Sequence, residues 1–168
     1  MSLKPNRALI VFFIGEQATA LPLESVEKIV PMADLAHPPG LPATLAGILN
    51  WGGTAVPVLR LDRLLQLPEL SPGLYSMLVL LKDERLNGKV ALLVDRVAEV
   101  VHISSDALLA VDERDSFNAC AEGTFESRGQ LVHLLSPEHI LLEREYESLL
   151  AFQVIEQRRL DEWKAGLS

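Results

Sequence analysis

Cysteine is nearly absent. Cys120 stands alone among 168 residues, so no disulfide can close within the chain and a reducing compartment, the cytoplasm, is expected. Basic residues are in deficit, 15 Lys and Arg against 23 Asp and Glu, for a formal net charge of −8. Affinity for nucleic acid rests on cationic side chains that neutralise phosphates, so that class is set aside, and an anionic membrane surface would repel the chain. Long apolar runs are missing too. The clearest, Ala8 to Ile14, is strand length and far short of the ~18 residues that suggest a membrane span. The first residues lack the basic, apolar, then small pattern of a signal peptide, and Met1-Ser2-Leu3 is read as a cloning remnant outside the fold. With 49% hydrophobic residues, a chain of this length builds a core without disulfide or metal. A soluble, acidic, cytoplasmic single domain is the expectation.

Catalytic motifs are equally scarce. There is no Gly-rich phosphate loop, no Gly-x-Ser-x-Gly elbow and no His-Glu-x-x-His pair, and one cysteine cannot supply a thiolate zinc site. His37, His102, His133 and His139 fall in unrelated segments and read as ordinary surface or half-buried histidines. Ser25, His133 and Asp95 could be combined into a hydrolase triad, but no glycine-flanked turn presents the serine as a nucleophile. Asp95, ending a strongly apolar strand, is either a strand-end turn former or a contact residue. No catalytic residue, cofactor or metal ligand is assigned.

What the sequence does hold is a succession of short apolar segments between turn residues. Ala8 to Ile14 stops at Gly15-Glu16 and resumes at Ala18 to Leu21, a hairpin pattern. Ser25 to Val30 is a short strand or one helical turn. His37-Pro38-Pro39-Gly40-Leu41-Pro42 excludes regular structure. Leu45 to Trp51, Gly52-Gly53 and Thr54 to Leu61 make a second hairpin, in which Pro57 predicts an edge strand or a bulge. Asp62 to Leu67 allows a helical turn. Ser76 to Lys82, Lys89 to Val94 and Val97 to Ile103 are further strands, Ser104 to Glu122 is polar and irregular, and Gly123 to Phe125 with Gln130 to Leu135 closes a hairpin about Arg128-Gly129. No fixed-period repeat is present.

Ser136-Pro137 predicts a helix start, a hydroxyl cap followed by proline in the first turn, with helix from there to Lys164. At 100° per residue, Leu142, Tyr146, Leu149, Leu150, Phe152, Leu160 and Trp163 share an arc of about 160°. Such a stripe either covers barrel surface or serves docking or dimerisation. The pattern as a whole predicts many short strands in small barrels, ending in a helix.

Three ordered segments carry a resemblance. They are Phe13-Ile14-Gly15 with Leu21-Pro22-Leu23 and Val26-Glu27-Lys28-Ile29; Gly47-Ile48-Leu49-Asn50-Trp51-Gly52-Gly53 running into Val56-Pro57-Val58-Leu59-Arg60-Leu61; and Val90 to Val97 with Glu99-Val100. Together they resemble the CheW-like domain of bacterial chemotaxis coupling proteins over roughly Arg7 to Leu142. The resemblance implies a mainly β fold of two packed five-stranded Src-homology-like barrels at 7–142, followed by a C-terminal α-helix as an extension at 143–168. It implies no catalysis. The partners implied are the cytoplasmic tip of a chemoreceptor and the regulatory domain of a CheA-type histidine kinase, with recruitment to membrane receptor arrays but no direct membrane insertion and no nucleic acid.

In such a protein a receptor helix would lie in a groove matched here by Val26, Ile29, Val97 and Val100, unless these are plain core. The turn Asn50, Trp51, Gly52, Gly53, together with Asp95, would form a second contact with kinase or receptor. Trp51 is either a contact or a plug over the barrel end. Two departures from the family pattern stand out: Gly52 replaces the arginine of Asn-Leu-Arg-Gly, and Arg60 replaces the acid of Pro-Val-x-Asp-Leu. They raise a non-motility pathway (pili, surface sensing or second-messenger output) as a possible setting. The alternatives from other classes are a small hydrolase and a stand-alone regulatory module of a kinase or receiver system.

Overall fold

Strands that are apolar at every position need two buried faces. The computed structural model describes residues 6–68, 73, 75–83, 88–109, 121–140 and 143–166, and it provides both. Met1-Ser2-Leu3, Cys120, Leu142 and the side chains of Tyr146 and Leu149 lie outside the described residues.

Ten strands form two five-stranded sheets. They are β1 (Asn6–Ile14), β2 (Gln17–Pro22), β3 (Val26–Pro31), β4 (Leu45–Trp51), β5 (Thr54–Arg60), β6 (Met77–Asp83), β7 (Gly88–Val94), β8 (Arg96–Ser104), β9 (Ala121–Ser127) and β10 (Gln130–Leu135), with a helical turn α1 (Leu61–Leu64) and a long helix α2 (Glu143–Gly166). The first barrel has the order β8-β1-β2-β10-β9 and the second β3-β6-β7-β5-β4. Mainly β, with two five-stranded sheets and one C-terminal helix, is the architecture the family resemblance implies.

Alternation along β1 and β7 explains their unbroken hydrophobicity. Ile10, Phe12 and Ile14 enter a central core shared by the two barrels, whereas Leu9 and Val11 fill the interior of the first. Val90, Leu92 and Val94 enter the same central core, while Ala91 and Leu93 fill the second barrel. Truncating a side chain such as Leu92, which is fully buried, costs about 2–5 kcal/mol.

The two halves of the chain repeat one connectivity. Each of β1 to β5 has its counterpart in β6 to β10, and the first hairpin of each half pairs with the last three strands of the other. The registers agree residue by residue. Leu134 lies opposite Ala20, and Val58 lies opposite Ala91 in the matching parallel pair. Isolated bridges Ala36–Ile48 and Leu109–Thr124 recur at equivalent places. Beside each bridge a glycine is required by close approach: a Cβ on Gly47 would stand 2.6 Å from Leu35 Cβ, and one on Gly123 would stand 2.8 Å from Leu109 O. The spacing between equivalents lengthens along the chain, so a repeat without a fixed period is present, which the sequence does not reveal.

Three local expectations are corrected. Pro57 lies in neither an edge strand nor a bulge: β5 sits between β4 and β7. It is tolerated because the ladder with β7 begins only at Val58, leaving residue 57 without a strand neighbour on that side. Ser136-Pro137 opens a short 3₁₀ turn, Pro137–His139, instead of the long helix, and Ser136 Oγ lies 2.9 Å from His139 Nδ1, with no side-chain cap onto the backbone. The seat of α2 is partly polar: Gln153 and Glu156 are buried, Phe152 and Leu160 half-buried, and Leu150 and Trp163 of the expected stripe exposed.

Candidate partner-binding surface

Two matched bulges define the surface. On β3, Val26 pairs with Leu81 and Ile29 with Val79, with a register shift between Val26 and Lys28. On β8, Val97 pairs with Phe12 and Val100 with Ile10, and the shift falls between Phe12 and Val11. Without a bulge, residues three apart would point to opposite faces of a strand. The extra residue in each strand turns Val26 with Ile29, and Val97 with Val100, to the face of the central core. The four are therefore two equivalent pairs. Val26, Ile29 and Val97 are half-buried against that core. Val100 is 47% exposed.

The residues Asn50 to Gly53 form one structural unit. Trp51 and Thr54 pair across a two-residue turn in which Gly52 and Gly53 have φ of +58° and +91°, the primed hairpin geometry that matches strand twist. Asn50 Oδ1 accepts the Gly53 N–H at 2.8 Å. Trp51 packs on the core of the second barrel, as a plug would, and Lys28 Nζ lies 5.3 Å from its ring centroid. Asp95 belongs to another junction, between β7 and β8, where its N–H donates to Phe13 O at 2.9 Å.

The repeat shows what stands at equivalent positions in the first barrel. The turn there is Arg128-Gly129, with φ of +50° and +73°, flanked by the pair Ser127 and Gln130. Arg128 thus matches Gly52, and Glu99 matches Lys28. Arg128 Nη2 lies 2.8 Å from Glu99 Oε2, an ion pair where the second barrel has a cation over an indole. Sequence reasoning missed Lys28, Glu99 and Arg128. The signal available was the turn pair Gly52-Gly53 and Arg128-Gly129, each joining two consecutive strands of a hairpin.

The second departure is compensated locally. The Arg60 guanidinium forks onto the buried Asp62 carboxylate, Nη2 to Oδ2 at 2.7 Å and Nε to Oδ1 at 3.2 Å, so the base at position 60 carries its own acid two residues on.

The hydrolase alternative gains no support from the geometry. His133 Nδ1 lies 3.2 Å from Gln17 Nε2, an amide where a triad places a carboxylate. Burial pushes the His133 pKa down. His37, His102 and His139 are exposed on separate segments.

Comparison with known proteins agrees with this fold. The family model described as a CheW-like domain matches residues 8–145. The chain is 26% identical over 135 residues to a chemotaxis protein CheW of Thermotoga maritima, covering 80% of this chain and 87% of that one. It is 25% identical over 145 residues to a probable chemotaxis protein CheW of Rhizobium etli, covering 85% and 92%. Among solved structures, the scaffolding protein TtCheW from Thermoanaerobacter tengcongensis superposes with a TM-score of 0.74 at 19% identity, over 84% of this chain and 90% of that one.

Proposed function

The chain belongs to the CheW-like family, a family of non-catalytic chemotaxis scaffolds, and from that premise we propose that it couples a chemoreceptor to a CheA-type histidine kinase. The observation that carries this reading is the pair of matched bulges. They present Val26 with Ile29 and Val97 with Val100 at the face of the core between the barrels. An amphipathic receptor helix offers apolar side chains at i, i+3, i+4 and i+7, and such a stripe suits two short apolar rows.

The turn Asn50 to Gly53, with Lys28 over Trp51, serves as the second contact, toward the kinase regulatory domain. An exposed cation beside a half-buried indole suits a carboxylate from that partner. Asp95 is kept in this second contact as a neighbour of the Val97 row. In this reading the barrels at 7–142 are the docking body and 143–168 an extension. Among the described residues no helix is long and apolar enough to cross a membrane, which fits a cytoplasmic protein drawn to receptor arrays by its partners. The relatives named above are chemotaxis proteins, favouring a chemotaxis pathway over the non-motility outputs raised by the sequence.

Affinity capture of the native protein, with identification of the proteins that co-purify, tests the reading. A chemoreceptor and a CheA-type kinase should both be recovered, and the receptor should be lost from a Val100→Asp bait. Recovery of neither class at native expression levels would contradict the proposal.

A further inference from the structure

The barrels differ at their mouths. In the second, Trp51 packs on the barrel core beneath Lys28. In the first, the residue equivalent to Trp51 is Ser127, and a depression of about 460 Å³ opens beside it. Its floor is apolar, from Val11, Ala18, Val97 and Val132. Its rim carries two cations and one acid: the Arg96 guanidinium stands 3.9 Å from the Phe13 ring centroid, and Arg128, its side chain 82% exposed, pairs with Glu99. The position that Trp51 fills in the other barrel is held here by the small Ser127, and the volume lies within the range of binding pockets.

The chain also carries an indole without cover. Trp163 on α2 is 65% exposed, and it comes directly after Asp161-Glu162, both exposed. An acidic pair leading into a tryptophan complements a rim on which Arg96 and Arg128 outnumber the single acid Glu99. We propose that Trp163 of one copy docks into the first-barrel mouth of another, head to tail. Helix α2 packs on β5 of the second barrel, so donor and acceptor are different surfaces. Such a contact adds further copies instead of closing a two-fold dimer.

The contact is weak by construction. One indole buries about 150–250 Å², well below the ~1,200 Å² of stable complexes, so association depends on concentration. At physiological ionic strength, repulsion between the acidic chains is screened beyond ~8 Å while close pairs at the rim persist.

Sedimentation velocity on the full chain at physiological salt tests this. The wild type should show a weight-average sedimentation coefficient that rises with concentration. Trp163→Ala removes the donor, and Ser127→Trp plugs the mouth as Trp51 plugs the other. Each variant alone should stay monomeric, and an equimolar mixture should form dimers and nothing larger, because one free donor meets one open mouth. Melting curves verify that both variants fold; should Ser127→Trp fail to fold, Arg128→Glu, which reverses the rim charge, takes its place and should weaken association at least tenfold. A wild type that stays monomeric at the highest concentration reached overturns the proposal. So does a Trp163→Ala chain that associates as the wild type does, or a mixture of folded variants that stays monomeric.

Discussion

Gln157 stands beside Ala55 as a neighbouring strand would. Its Oε1 accepts the Ala55 N–H at 2.8 Å, and its Nε2 donates to Gly53 O at 2.9 Å. One helical turn earlier, Gln153 Nε2 donates to Ala55 O at 3.0 Å. The ladder between β5 and β7 starts only at Val58, so the first half of β5 presents backbone groups with no strand beside them. Two glutamines at i and i+4 on α2 share a helix face and close that edge. An uncovered edge pairs readily with other chains, so the extension protects the barrel through hydrogen bonds as much as through apolar contact.

Ending the chain after Glu143 should therefore leave the barrels folded but prone to associate through β5. Light scattering should rise with time for the truncated chain and stay flat for the full one. A truncated chain that remains monodisperse would show that the edge needs no cover.

Gln157→Ala removes two of these bonds and leaves a half-buried N–H without its acceptor. The cost should be about 1–3 kcal/mol. Amide exchange at Ala55 should accelerate markedly, while exchange at Leu92, in the central core, changes only by the global loss of stability.

Gly52→Arg places a side chain at φ of +58° with open space around its Cβ. The expected cost is about 1 kcal/mol, and it comes with a second cation near Lys28. Adding Lys28→Glu should recover part of the loss, because the pair then repeats Glu99 and Arg128. A double-mutant cycle in melting free energy decides this. Strict additivity of the two changes would mean that the corners of the two barrels are not equivalent.

His133 sets a pH dependence. Burial lowers its folded pKa below the ordinary 6.5, so the unfolded chain takes up the proton first. Its contribution to stability is present above pH 6.5 and is lost as the pH falls from there through the lower folded value. The melting temperature of the wild type should drop over that window more steeply than that of His133→Gln. Parallel profiles would remove the histidine from the account.

Val97→Asp and Val100→Asp should separate stability from docking. Val97 is half-buried on the central core, so a carboxylate there costs a few kcal/mol. Val100 is 47% exposed, so the same change costs about 0.5 kcal/mol. Both should weaken receptor binding, but only the first should lower the melting temperature appreciably.

Much of this architecture is legible in the sequence, for identifiable reasons. β1 and β7 announce themselves because two buried faces force the runs Ala8 to Ile14 and Val90 to Val94 to be apolar, and Gly52-Gly53 marks its turn because both positions need positive φ. The ordered segments around Val26, Trp51 and Asp95 place the chain in its family. What escapes is long-range. Nothing local tells that β3 leaves the first hairpin to join β6, or that Arg128 and Gly52 are counterparts, since the spacing between equivalents drifts. Gln153 and Gln157 read as solvent-facing on any hydropathy scale. Gln153 is buried and Gln157 half-buried because the β5 edge supplies their partners, a fact about β5 and β7 with no trace in the sequence of α2. The bulge residues escape for a similar reason. Val26 and Ile29, three apart, share a face only once the register with β6 has slipped.

In the proposed function, one barrel pair holds receptor and kinase at separate surfaces. The most direct measurement is gel filtration with light scattering on three components: the full chain, a chemoreceptor cytoplasmic-tip fragment and a CheA-type regulatory domain. A ternary complex should form, which Val100→Asp reduces to chain plus kinase domain and Trp51→Ala with Lys28→Glu reduces to chain plus receptor fragment. Mutually exclusive binding of the two partners to the wild type, or loss of both partners from either variant with the fold intact, would contradict it.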